Sequence, residues 1–197
     1  WHAEGIKTQY SGTIWLDGEE YEVIPEKSYG YADKNWGGDF TSPWLWNSSC
    51  NITSLITGKK LNNSAFEAGG GRPKAFGISI PRKLLIGFYY EGTMYEYNFA
   101  RFWNMVKIDF DFQEGEEVHT WHVNATNKNS RMELVLYCKR DEMLLINYEA
   151  PDGQKRHNRL WNGGNGWGEI KLYKKDGTLI DHVKIENAGC EYGEYDK

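Results

Sequence analysis

Between Ser28 and Asn51 the chain reads SYGYADKNWGGDFTSPWLWNSSCN, its densest mixture of acids, amides and aromatics. Asp33 and Asp39 stand among Tyr31, Lys34, Asn35, Trp36, Trp44 and Trp46. A carboxylic acid removed from water resists ionisation and can donate a proton near neutral pH. Aromatic faces stabilise a developing cation. Acid and aromatics together therefore suit general-acid catalysis through a cationic intermediate. Asp33, between Tyr31 and Trp36 in sequence, is the first choice for the acid, and Asp39 the second. Tyr31, Trp36, Trp44 and Trp46 are candidates to line a pocket. Lys34 and Asn35 could orient a bound substrate or hold the acid. The same residues also fit a structural corner, with both aspartates capping turns, the tryptophans packing, and Lys34 paired with Asp33 or Asp39.

Other motifs carry less. Trp161-Asn162-Gly163-Gly164-Asn165-Gly166-Trp167-Gly168 lacks the Gly-Lys-Ser/Thr ending of a phosphate cradle and reads as a loop whose tryptophans could rim a cavity. Gly69-Gly70-Gly71-Arg72-Pro73 reads as a turn. His119 and His122 would point to opposite faces of a strand, which argues against a shared metal. Cys50, Cys138 and Cys190 form no metal-ligand spacing and read as reduced thiols.

These residues must be positioned by strands. Turn pairs recur at Asp17-Gly18, Glu91-Gly92, Glu114-Gly115, Asp152-Gly153 and Asp176-Gly177. The flanking segments are Lys7 to Leu16 with Glu19 to Ile24, Leu84 to Tyr90 with Met94 to Phe99, Val106 to Phe112 with Val118 to Val123, and Ile170 to Tyr173 with Leu179 to Ile185. In Val106 to Phe112, apolar and polar residues alternate strictly, which predicts one face in the core and one in water. Trp44 to Thr57, Ser64 to Ala68, Ala75 to Ile80, Met132 to Cys138 and Met143 to Glu149 are further candidate strands. No window shows a capped helical stripe. The expectation is an all-β, antiparallel barrel with hairpin connections and little helix. Nine Trp and thirteen Tyr can build its core or line an apolar pocket.

The net charge of −5 argues against nucleic acid as a partner. No stretch is apolar enough for a transmembrane helix. A cytoplasmic location is the simplest expectation, and the sequence does not specify the oligomeric state.

Asp33, Lys34, Asn35, Trp36, Gly37, Phe40, Trp44, Trp46, Cys50 and Asn51 together resemble the signature of the tocopherol cyclase family. Thr41 departs from the pattern, where Pro is expected, and so does Ser49, where plant members tend to carry Gln. The resemblance implies a lipocalin- or calycin-like β-barrel. It also implies that residues 1–197 form a single barrel domain, the C-terminal part of a longer chain. In that family a phenol oxygen adds across a prenyl double bond without cofactor or metal, and related folds hydrate isoprenoid double bonds. The implied partner is a hydrophobic, prenylated or isoprenoid-like small molecule. A cofactor-free cyclase is the leading reading. The alternatives are a non-catalytic carrier of such a molecule and a structural domain filled by its own aromatics. A buried acid beside aromatics separates the first from the others.

Overall fold

The computed structural model describes residues 2–34, 42–72, 74–75, 78–79, 83–149, 153 and 156–194. Its strands are β1 (His2–Gln9), β2 (Gly12–Leu16), β3 (Glu19–Val23), β4 (Tyr29–Lys34), β5 (Trp44–Ser49), β6 (Asn51–Ser54), β7 (Ala65–Gly71), β8 (Lys74–Ala75), β9 (Ile78–Ser79), β10 (Lys83–Tyr90), β11 (Thr93–Asn98), β12 (Lys107–Gln113), β13 (Val118–Thr126), β14 (Ser130–Lys139), β15 (Leu144–Glu149), β16 (Arg156–Lys174) and β17 (Leu179–Gly193). Short 3-10 turns at Phe102–Asn104 and Arg140–Glu142 are the sole helical segments among the described residues.

Local chemistry explains the hairpins. Asp17 and Gly18 both have positive φ, 52° and 84°, as do Glu91 and Gly92 at 42° and 93°. Two consecutive left-handed residues give the turn whose twist matches paired strands, and Gly adopts that region at little cost. The alternation in β12 appears as expected, with Lys107, Asp109 and Asp111 exposed and Ile108, Phe110 and Phe112 turned toward the core.

The main sheet runs β11-β10-β7-β5-β17-β16-β14-β13-β12, antiparallel throughout, with β6 attached to β17 and β15 to β16. It curls into a nearly closed nine-stranded barrel. Near its edges, Asn127 Nδ2 donates to the Glu96 carbonyl at 3.0 Å, and the Tyr97 hydroxyl meets Ser130 Oγ at 3.0 Å. Leu45, Phe66, Leu84, Phe88, Trp121 and Ile170 are fully buried inside. Each contributes on the order of 2 kcal/mol by leaving water.

Two sequence expectations are corrected. The glycine-rich stretch 161–168 is not a loop but lies within β16, and Gly69, Gly70 and Gly71 end β7 rather than forming a turn. Glycine stands there because neighbouring atoms crowd the backbone. A Cβ on Gly168 would lie 2.1 Å from the Val135 carbonyl oxygen, and one on Gly70 would lie 2.2 Å from that of Lys83. Three expected strands are also divided, Ala75 to Ile80 among them, since Ala75 of β8 pairs back onto Ile78 of β9. Lys7 to Leu16 breaks at Tyr10 and Ser11, and Trp44 to Thr57 breaks at Cys50.

The β1–β4 pair and the β2–β3 hairpin form separate small sheets outside the barrel. The first is fastened to it. Lys7 Nζ donates to the Asn62 carbonyl and, at 3.4 Å, to that of Ser64, and the Cys50 thiol donates to the Ile6 carbonyl at 3.0 Å.

Candidate functional site

Strand β5 lies between β7 and β17, and side-chain alternation splits its residues between two faces. Ser48 stands opposite Glu67 and Gly189, and Trp46 stands opposite Gly69 and Glu191. Residues directly opposed in antiparallel strands share a face. Trp44, Trp46, Ser48, Glu67 and Glu191 therefore share the outer face. Leu45, Ala68, Cys190 and Tyr192 share the core face.

An outer face is ordinarily wet, but here it is not. Ser48 is 5% exposed, Glu67 3% and Glu191 9%. Strand β4 contributes cover. The Tyr31 ring lies 5.2 Å from that of Trp46, and the Tyr31 hydroxyl donates to the Glu67 carboxylate. Glycine makes room for the indole, since a Cβ on Gly189 would sit 2.5 Å from the Trp46 ring. Asp33 and Tyr31 belong to the same strand, β4, with Asp33 paired to Ala3 of β1.

The electrostatics follow from this burial. Loss of water pushes the Glu67 carboxyl up to about 7; the Asp33 charge adds to the rise, and the Tyr31 hydrogen bond partly opposes it. Glu191 is likewise pushed up to about 7, first by burial and then by Asp33. Burial raises the Tyr148 phenol too, with Glu191 and Asp33 adding to it. Glu67 and Glu191 flank β5 two strand spacings apart and two residues out of register, roughly 12 Å between backbones. Asn162 Nδ2 donates to Glu191 Oε1. Glu67 Oε1 and the Trp46 indole N–H are buried without a hydrogen-bond partner among the described residues. Leaving such a group unpaired costs about 1–3 kcal/mol.

Of the residues singled out from sequence, Tyr31, Asp33, Trp44 and Trp46 converge here. Asp33 is exposed and lies within a strand rather than capping a turn. Lys34 pairs with Glu4 at the exposed rim. Asn35, Trp36 and Asp39 lie outside the described residues. Sequence reasoning missed Glu67, Glu191, Tyr148 and Asn162. A signal for the acids was available. Phe66-Glu67-Ala68-Gly69 and Gly189-Cys190-Glu191-Tyr192-Gly193 each place a lone carboxylate among small and apolar residues.

Elsewhere, His119 points into the core, with its ring 4.7 Å from Trp161 and 5.5 Å from Phe112, while His122 is on the opposite face. Among the described residues no group of three or more His, Cys, Asp or Glu is placed to hold a metal, and no helix is long and apolar enough to cross a membrane.

The family model described as tocopherol cyclase-like matches residues 4–194. A probable chloroplastic tocopherol cyclase of Oryza sativa subsp. japonica is 33% identical over 132 residues, covering 67% of this chain and 25% of the relative. A chloroplastic tocopherol cyclase of Zea mays is 37% identical over 95 residues, covering 48% of this chain and 18% of the relative. The chain thus spans a quarter or less of the length of these curated relatives. No solved structure shows a significant match. With a model match over nearly its whole length, the chain belongs to the tocopherol cyclase-like family.

Proposed function

We propose that this chain carries the proton-transfer chemistry of a cofactor-free cyclisation or hydration of a prenyl double bond. The observation that carries the reading is the pair of buried carboxyls, Glu67 and Glu191, both raised to about 7 beside Trp46, Tyr31 and the charge of Asp33. With such values each carboxyl is split between acid and carboxylate at neutral pH, so donor and acceptor coexist in one site. A protonated carboxyl gives its proton to the less substituted alkene carbon. The tertiary cation forms against the aromatic faces of Trp46 and Tyr31. The phenol oxygen, or a water, bonds to the cation and its proton passes to a carboxylate. Protons balance, nothing is oxidised, and no cofactor enters the step. Asp33, named from sequence as the acid, is here an exposed charge that adds to the rise burial gives Glu67 and Glu191. Asp39, Asn35 and Trp36, expected from sequence as second acid, substrate-orienting group and pocket wall, lie outside the described residues.

The test is turnover of a panel of prenylated hydroquinones, followed by mass spectrometry and NMR. Cyclisation leaves the mass unchanged and removes an alkene signal, whereas hydration adds one water. Glu67→Gln, Glu191→Gln and Asp33→Asn are compared with wild type. Loss of turnover by about a hundredfold or more in a glutamate variant is expected, with a smaller loss and a lowered pH optimum in Asp33→Asn. Retention of the compounds without conversion by the wild type moves the reading to a carrier of hydrophobic small molecules.

A further inference from the structure

At one end of the barrel three turns are hydrogen-bonded to each other. The Lys128 N–H, in the β13–β14 turn, donates to the Asn104 carbonyl of the β11–β12 connection at 3.0 Å. The Lys175 N–H, in the β16–β17 turn, donates to the Asn129 carbonyl at 3.0 Å. The β11–β12 connection is itself folded, with Asn104 N–H donating to the Arg101 carbonyl and Met105, left-handed at φ 50°, donating to that of Phe102. This held segment presents large apolar side chains to water: Phe102 is 82% exposed, Trp103 57% and Met105 63%. The Phe102 and Trp103 rings meet edge to face at 5.1 Å.

The charge around this tip is opposite to that of the molecule. The chain is acidic overall at −5. Lys107, Lys128, Lys174 and Lys175 are exposed beside the tip. Arg101 and Arg131 are neutralised by Glu96 and Glu133, and Asp176, held by the Thr178 N–H, is the acid within the β16–β17 turn. An adjoining acid, Asp109, faces outward on β12. Exposed Trp and Phe on a folded loop, beside four exposed lysines, match the two attractions of a lipid surface. Aromatic side chains enter the headgroup boundary, and lysines are drawn to anionic lipid.

We infer that the Phe102–Trp103–Met105 tip, with Lys107, Lys128, Lys174 and Lys175, docks this protein onto anionic lipid surfaces. The surface is separate from the Glu67–Glu191 site and does not depend on how that site reacts.

The test is cosedimentation of the protein with vesicles of phosphatidylcholine alone and of phosphatidylcholine with about one-third phosphatidylglycerol. Wild type is expected to bind the anionic vesicles more strongly, and salt at about 0.5 M to weaken that binding. Phe102→Ser with Trp103→Ser is expected to reduce binding to both vesicle types. Lys174→Glu with Lys175→Glu is expected to reduce binding to the anionic vesicles alone, by about tenfold or more, since each lysine near such a surface adds about 1 kcal/mol. All replaced side chains are exposed, so unfolding transitions stay those of the wild type and serve as the folding control. Equal binding of wild type and both variants overturns the inference. So does a wild type that ignores vesicles, including one that self-associates through Phe102 and Trp103 instead.

Discussion

Glu67→Gln is expected to stabilise this protein above neutral pH and leave it unchanged in acid. Glu67 is 3% exposed, and its folded-state value near 7 lies well above the 4.5 of an ordinary glutamate. A carboxyl raised by folding holds its proton in the native state after the unfolded chain has lost it. Its stabilising contribution is therefore complete below pH 4.5 and declines as the pH rises to about 7. At about 1.4 kcal/mol per pH unit, that gap is worth about 3 kcal/mol. Glutamine has the same shape, accepts the Tyr31 hydrogen bond and cannot ionise. The variant should equal wild type at pH 4.5 and exceed it by about 3 kcal/mol at pH 8, or by about 8 °C in Tm for a chain this long. Asp33→Asn removes a charge that raises Glu67, so the decline should end at a lower pH and be smaller. The assay is urea unfolding followed by tryptophan fluorescence from pH 4.5 to 8.5. Parallel stability profiles for wild type and Glu67→Gln would refute the argument, because they would mean that Glu67 titrates alike in the folded and unfolded chain.

Two further expectations concern glycines. Gly168→Ala sets a Cβ 2.1 Å from the Val135 carbonyl oxygen, a backbone atom that cannot swing away, so β14 and β16 must separate. A loss of about 3 kcal/mol or more in urea unfolding should follow. Gly189→Ala drives a Cβ into the Trp46 ring and should displace the indole from Tyr31. It should cost about 1–3 kcal/mol and lower turnover or ligand retention at the acid site, measured on the same hydroquinone panel.

Strand content and hairpins were legible because their causes are local. Asp17-Gly18 and Glu91-Gly92 turn wherever they occur between extended segments, and the alternation of β12 survives any choice of partner. The glycine-rich part of β16 misled because composition does not tell a glycine kept for flexibility from one kept for closeness. Gly163, Gly166 and Gly168 are needed where Met143, Cys190 and the β14 backbone press against the strand. Those neighbours are distant in sequence.

The candidate site divides in the same way. The segment from Tyr31 to Trp46 declared itself, since acids and aromatics crowded into one stretch need no fold to be noticed. Glu67 and Glu191 are single acids on separate strands, more than a hundred residues apart in the chain. Their small and apolar sequence neighbours are a local hint of burial, but nothing local says that the two acids share a face. The pairing of β5 with both β7 and β17 puts them on one face, and β4 helps to cover that face. The chain itself determined which residues could donate a proton. Only the tertiary structure decided which carboxyls would be dry enough to keep one, because a carboxyl's ionisation depends on the water it loses and the charges brought beside it.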